Sequence, residues 1–239
     1  MVSEGGDVGA FLQILPWSAT ANSIQVVNVQ TSSVLAEQIT SANPPSVTIM
    51  SPNGGENLSN IVNATWLAQD LDLGTLYFTV QYSTNDGLTW ATIASGLTST
   101  TLEIDTEQLA GSSVGLLRVI ATDGVNTAQD DSDGTFVVPT KPPVPEVSAP
   151  TDGDTYLVGD LTVLQGNAYD LEDGMLEESA LAWTSSLDGD LGTGSTVLVT
   201  LSPGQHVITL TAMDRDGNVA TDSLNVFVDY KTYLPLILK

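Results

Sequence analysis

The strongest constraint on the fold is a repeat. Ala68, Asp70 and Leu71 in "ATWLAQDLDLG" return as Ala168, Asp170 and Leu171 in "LQGNAYDLEDG", a constant offset of 100 residues. The parallel continues downstream. "LYFTVQYSTNDG" answers to "ALAWTSSLDG", and "RVIATDG" to "TLTAMDRDG", which pairs Asp123 with Asp214. "DSDGTFVV" then matches "ATDSLNVFV". Two copies of one plan account for this most economically. Within each copy, short runs of Val, Ile, Leu and Thr alternate with clusters of Gly, Asp, Asn and Ser, the pattern of strands joined by turns. No stretch sustains a 3.6-residue period. "DTEQLAG", Asp105–Gly111, has room for one helical turn. The fold class is therefore all-β.

Two proline-bearing joints divide the chain: "SANPPSV", Ser41–Val47, and "VPTKPPVPEVSAP", Val138–Pro150. Proline removes backbone donors and stiffens a connector, so both joints read as spacers between domains. The division is 1–42, 43–139, 140–229 and 230–239. The two middle segments approach the roughly 100 residues of an immunoglobulin-like sandwich. Residues 1–42 hold three expected strands, "FLQILPW", "SIQVVNV" and "SVLAEQI". A sheet that small is marginal alone. These strands are expected either to end a preceding domain or to dock on the first sandwich.

Composition excludes several functions. The formal charge is −24, from 29 acids against five bases, Arg118, Lys141, Arg215, Lys231 and Lys239. Those five make no basic patch, so neither nucleic acid nor an anionic membrane is an expected partner. A surface that recruits cations is expected instead. The chain has no cysteine and one histidine, His206. Disulfides, thiolate zinc sites and cysteine nucleophiles are excluded, and a Ser-His-Asp triad has almost nothing to draw on. No apolar run is long enough for a membrane span. "MVSEGGDVGA" lacks the basic and apolar regions of a signal peptide, so Met1 is expected to mark a boundary within a longer parent.

"SPNGGENLSNIVNATWLAQDLDLGTLYFTVQYSTNDGLTW" resembles the fibronectin-III-like or Ig-like modules of bacterial secreted hydrolases. "QGNAYDLEDGMLEESALAWTSSLDGDLGTGSTVLVTLSPGQHVITLTAMDRDGN" resembles PKD-type and related bacterial Ig-like modules, with "WTSSLDGDLG" where W-x-F-G-D-G is common. The resemblance spans residues 44–229. It implies tandem Ig/fibronectin-III-like β-sandwiches behind a short strand-rich N-terminal segment. It also implies a bacterial protein that is secreted or held at the cell surface.

In an Ig-type sandwich the B–C and F–G loops share one pole. With "LTVLQGNAY" as strand B, "LAWTSS" as C, "HVITLTAMD" as F and "DSLNVFV" as G, Asp170, Glu172 and Asp173 fall in the B–C loop. Asp214, Asp216 and Asn218 fall at the F–G turn. Calcium takes six to eight oxygens on a flexible frame, which this set offers. The first copy offers a thinner set, Asp70 and Asp72 against Asp123. The competing reading is plain solvated turns, since Asp-Gly pairs are ordinary hairpin chemistry. A glycosidase pair is disfavoured, because it needs a cleft and an apolar pocket to raise one acid.

"STNDGLTW", Ser83–Trp90, resembles the Asp-box hairpin S-x-D-x-G-x-T-W with Asn85 at the usual Asp place, and implies a folding element. His206 falls where a tyrosine-corner side chain would bond back to nearby backbone. Trp66 and Trp183 are expected in the cores, Trp17 and Trp90 nearer the surface. The tail "TYLPLILK", Thr232–Lys239, is short and apolar, a candidate donor strand for an open sheet edge. The leading expectation is a non-catalytic extracellular spacer with calcium stiffening the second copy. Alternatives are a polysaccharide- or cell-surface-binding module, and a fibre subunit that self-associates through residues 1–42 and Tyr233–Lys239. Any catalytic domain is expected upstream of Met1.

Overall fold

Strand after strand buries every second residue. Thr162–Asp170 shows the pattern: Thr162, Leu164, Gly166, Ala168 and Asp170 are buried, and the residues between them face outward or lie half-covered. A period of two with one buried face requires a second layer against it. The computed structural model describes residues 22–39, 41–72 and 74–230. "FLQILPW", Trp17 and the tail Tyr233–Lys239 lie outside these residues.

Strands β1 (Ser23–Asn28) and β2 (Ser33–Ile39) make an antiparallel hairpin. The first sandwich follows with β3 (Ser46–Ser51), β4 (Ile61–Gln69), β5 (Tyr77–Ser83), β6 (Ala91–Leu97), β7 (Thr101–Asp105), β8 (Ser112–Thr122), β9 (Thr127–Asp131) and β10 (Phe136–Val138). One sheet runs β3-β4-β7. The other runs β10-β8-β5-β6, with β9 also on β8. "DTEQLAG" supplies one 3-10 turn, Thr106–Gln108, capped by the Asp105 carboxylate.

The second sandwich comprises β11 (Val144–Ala149), β12 (Asp154–Leu157), β13 (Thr162–Asp170), β14 (Gly174–Met175), β15 (Leu181–Ser185), β16 (Gly189–Thr193), β17 (Thr196–Val199), β18 (Gly204–Met213) and β19 (Val219–Asp229). Its sheets are β11-β13-β14, with β17 on β13, and β12-β19-β18-β15-β16. Strand β12 lies parallel to β19. The first sandwich keeps a trace of that crossover as a parallel bridge, Asn57 to Val137. In both copies the first strand ends at a cis proline, Ser51–Pro52 and Ala149–Pro150. The chain is thus all-β, two sandwiches of Ig/fibronectin-III-like strand order, each with its own core.

Hydrogen bonds repeat as well as strands. Asp130 Oδ2 accepts from Ile49 N at 2.7 Å, and Asp222 Oδ2 from Val147 N at 2.8 Å. Each ties the first strand of its sandwich across to the opposite sheet, satisfying a main-chain donor that the strand ladder leaves over.

The cores place their largest residue differently. Trp66 on β4 and Trp183 on β15 are both almost fully buried, as expected. They do not occupy equivalent strands. Val80 pairs with Val119, and Trp183 with Leu210, so Trp183 stands where the first copy has Val80. Gly166 stands where the first copy has Trp66. A Cβ on Gly166 would lie 2.8 Å from Leu210 Cδ2 and 3.2 Å from the Trp183 ring. The large indole enters from β4 in one copy and from β15, the counterpart of β5, in the other, and the facing position shrinks to match.

His206 is fully buried, and its Nε2 donates to Ser202 O, four residues upstream, at 2.7 Å. Ser185 Oγ lies 2.7 Å from Nδ1. Both ring nitrogens are engaged inside the core, so the residue closes a corner. In the first sandwich Tyr82, on the strand equivalent to that of Ser185, donates its hydroxyl to Ala110 O at 3.0 Å. The Asp-box-like hairpin is also a structural tie. Asn85 Oδ1 accepts from Thr89 N at 2.8 Å, and Ser83 Oγ from Gly87 N at 2.9 Å. Trp90 is half-buried rather than open. Arg118 lies 4.0 Å above its ring and pairs with Asp131 at 2.6 Å, which removes that face from sugar stacking.

Candidate functional site

The acidic loops do meet at one pole of each sandwich, and what they hold there is polypeptide. At the first pole Asp70 closes its own loop, its Oδ1 accepting from Asp72 N at 2.8 Å. That turn aims Asp72 at the incoming connector. Asp72 Oδ2 accepts from Asn43 N at 2.8 Å and from the Ser41 hydroxyl, and Oδ1 accepts from Asn43 Nδ2 at 2.7 Å. The Ser41 hydroxyl, with the Asn43 donors behind it, pulls the Asp72 carboxyl down to about 2.

Asp123 works on the other side. Its Oδ1 accepts from Val125 N and Asn126 N at 2.7 and 2.6 Å, which presents Asn126 Nδ2 to Ser41 O at 3.1 Å. Burial pushes the Asp123 carboxyl up, but the donors from Ser41, Asn126 and Val125 outweigh it and hold it low. The connector is gripped through its N–H groups by one loop and through a carbonyl by the other.

The second pole repeats the device on the preceding sandwich. Asp170 Oδ1 accepts from Glu172 N and Asp173 N at 2.8 and 2.9 Å. Glu172 Oε1 then accepts from Lys141 N at 3.3 Å and from Gly111 N. Gly111 belongs to the first sandwich, just ahead of β8. Asp214 takes both its bonds from Asn218, N at 2.7 Å and Nδ2 at 2.8 Å. Asn218 Nδ2 also reaches Thr140 Oγ1 at 3.2 Å and Lys141 O at 3.3 Å. Glu172 thus answers to Asp72, Asn218 to Asn126, and Lys141 to Asn43. The Glu is one methylene longer than the Asp, and that reach carries it past the connector to Gly111.

Electrostatics mark this joint. Burial pushes the Glu172 carboxyl up, and the Asp170 carboxyl beside it adds to the push, while the Gly111 and Lys141 N–H groups work against it. Tyr82, across the joint, is pushed up to about 12, first by burial and then by the Glu172 charge. Among the described residues, Asp70 Oδ2, Asp170 Oδ2 and Glu172 Oε2 are buried without hydrogen-bond partners.

The remaining candidates separate. Asp173 Oδ2 accepts from Arg215 N at 3.0 Å, and Oδ1 pairs with the Arg215 guanidinium at 3.3 Å. This bonds the B–C loop to the F–G loop with a cation of the chain itself. Asp216 is exposed on its turn. The expected calcium set of Asp170, Glu172, Asp173, Asp214, Asp216 and Asn218 therefore does not converge as six ligands. Asp70, Asp72 and Asp123 are likewise committed to turns and connector. Among the described residues, no group of three or more His, Cys, Asp or Glu side chains is arranged to hold a metal ion. Sequence reasoning missed the main-chain partners, Gly111, Asn43 and Lys141, because a backbone N–H carries no signature in the residue type that owns it.

No protein-family model matches the chain, and no curated protein matches it. Among solved structures it is similar to the Clostridium thermocellum CbhA fibronectin(III)-like modules, 22% identical over 80% of this chain and 100% of that one, with a TM-score of 0.35. It is similar to titin-A168169, 12% identical over 77% of this chain and 98% of that one, TM-score 0.35. The N-terminal four Ig domains of Dscam1 isoform 7.44 are 12% identical, over 83% of this chain and 51% of theirs, TM-score 0.37. No helix among the described residues is long and apolar enough to cross a membrane.

Proposed function

We propose that this chain is a non-catalytic structural spacer, a pair of sandwiches held at a fixed angle within a secreted or surface protein of bacterial type. The observation that carries this reading is the joint. Glu172 of the second sandwich takes main-chain hydrogen bonds from both the connector and the first sandwich. Connectors that serve only as tethers leave their backbone to water. Here the Thr140–Lys141 stretch is held on both edges, Lys141 is buried, and Pro142 and Pro143 follow directly. A fixed joint is what a spacer requires, because its output is a distance and an angle. The absence of cysteine and the net charge of −24 suit an exported, highly soluble module.

The test is a distance distribution between the two sandwiches, from spin labels placed on one exposed strand of each. A single narrow distance, together with small-angle scattering that fits one shape, is expected. A broad distribution both with and without calcium would overturn the reading.

One observation favours a second role, self-association. The β1–β2 hairpin exposes Ile24, Val26, Val27, Val34, Leu35 and Ile39, and among the described residues no third strand pairs with either of its edges. A donated strand from the tail of a neighbouring chain would complete it. Removing Tyr233–Lys239 is expected to abolish concentration-dependent assembly in sedimentation velocity. Unchanged assembly would refute it. Retention on insoluble polysaccharide or on cells, the expectation for a binding module, is the outcome that would favour adhesion over spacing.

A further inference from the structure

Two carboxylates meet at the joint with one oxygen each left over. Asp170 is almost wholly buried, and its Oδ2 has no partner. Glu172, two residues on, is half-buried, and its Oε2 has none either. Their other oxygens are fully used in the clasp. A buried acceptor without a donor is costly, and a second one beside it adds like-charge repulsion.

Among the described residues, no cation of the chain pairs with these two carboxylates. The Lys141 ammonium donates to Pro139 O at 2.7 Å, and among the described residues it makes no ion pair. Arg215 is engaged by Asp173 and Glu177. The first pole differs at this point. Both Asp72 oxygens are hydrogen-bonded there, and only Asp70 Oδ2 is left over.

We propose that Asp170 Oδ2 and Glu172 Oε2 bind one calcium ion at the joint between the sandwiches. This rests on the spacer reading and deepens it: the ion would lock the loop that grips Gly111 and Lys141. The donors are all oxygen, since the chain has no cysteine and both nitrogens of its one histidine are occupied in the second core. Oxygen donors select a hard cation. Calcium tolerates an irregular shell filled out by water and peptide carbonyls, whereas magnesium demands near-octahedral geometry and dehydrates reluctantly. Two carboxylates with neutral oxygens place the site among weak, extracellular-type sites, of about 10⁻⁴–10⁻³ M. The first pole, with one free carboxylate oxygen, is not part of the proposal.

The test uses the full chain stripped with EGTA. Calcium chloride is titrated in calorimetrically at pH 7.5, and melting is followed with calcium, with magnesium and with EGTA. The comparison variants are Asp170→Asn and Glu172→Gln. Each keeps the oxygen that serves the clasp and removes the charge. One ion per chain is expected, with a calcium-dependent rise in Tm. Affinity is expected to fall at least tenfold in either variant.

Binding that both variants retain unchanged would place the ion on solvated loop acids and overturn the proposal. So would a wild type blind to calcium, whatever the variants do. Spin-label distances on the same samples keep the two readings apart. A narrow distance without calcium binding refutes the site and leaves the spacer. A broad distance in every condition refutes the spacer.

Discussion

Gly111→Ala probes the joint without touching a charge. Gly111 needs no unusual backbone conformation, since its φ lies outside the left-handed range, so the effect of a methyl group there is steric. A Cβ would fall 2.6 Å from Thr140 N and 2.9 Å from Glu172 Oε1, with Thr140 Cα also in its way, where ordinary contacts begin at 3.4 Å. Backbone cannot swing aside as a flexible side chain does. The connector must therefore retreat by more than about 0.8 Å, the gap between 3.4 and 2.6 Å, because Thr140 Cα is nearer still. The Lys141 N to Glu172 bond is already 3.3 Å long and would be lost first.

Overpacking of this kind costs about 1–3 kcal/mol. Loss of the two main-chain bonds to Glu172 falls within the same displacement, so the two effects overlap and are not summed. For a domain of about 100 residues, each kcal/mol moves Tm by roughly 4–8 °C. Scanning calorimetry of the full chain is expected to show the less stable sandwich melting lower by several degrees, with a broader spin-label distance across the joint. Gly74→Ala is the control, because Gly74 is exposed and its nearest atom, Asp70 Oδ2, is 3.9 Å from the built Cβ. If Gly111→Ala melts and scatters like the parent, the connector is not packed against the first sandwich, and the clasp does not fix the joint.

Other consequences follow from the same geometry. The Asp72 carboxyl titrates at about 2 in the fold against 3.8 as a free group, so its contribution is complete above the unfolded value and lost as pH falls through the folded one. Acid titration of a label on the β1–β2 hairpin is expected to show release of the Ser41–Asn43 connector over that window, and Asp72→Ala to show it already at neutral pH. His206→Leu would leave Ser202 O without its ring donor and the Ser185 hydroxyl with only the Leu187 and Asp188 N–H groups, lowering stability by about 1–3 kcal/mol while the first sandwich melts as before. Gly166→Ala would drive a methyl group into Glu146 O and Leu210, at 2.7 and 2.8 Å, and is expected to cost about 1–3 kcal/mol in the second sandwich alone. Asp222→Ala and Asp130→Ala strand the cross-sheet donors Val147 N and Ile49 N and are expected to cost similar amounts, about 1–2 kcal/mol, in their own sandwiches by chemical denaturation.

The sequence by itself determined the class of fold and the repeat. Period-two burial and turn-forming residues are local signals, and the matched "DLDLG" and "DLEDG" loops survive in residue type because the same turn recurs. It also placed the B–C and F–G acids at a common pole, since strand order alone does that. The location of His206 at a corner was legible for the same reason. What the acids hold was decided only by tertiary structure. Asp72 and Glu172 look alike as residues, yet their partners are N–H groups of Asn43, Lys141 and Gly111, and every residue but proline owns such a group. The exchange of Trp66 for Trp183 was hidden likewise, because it depends on which strands face each other across the core. Sequence reports what a side chain carries. The fold alone decides which backbone, and which neighbouring carboxylate, it is brought against.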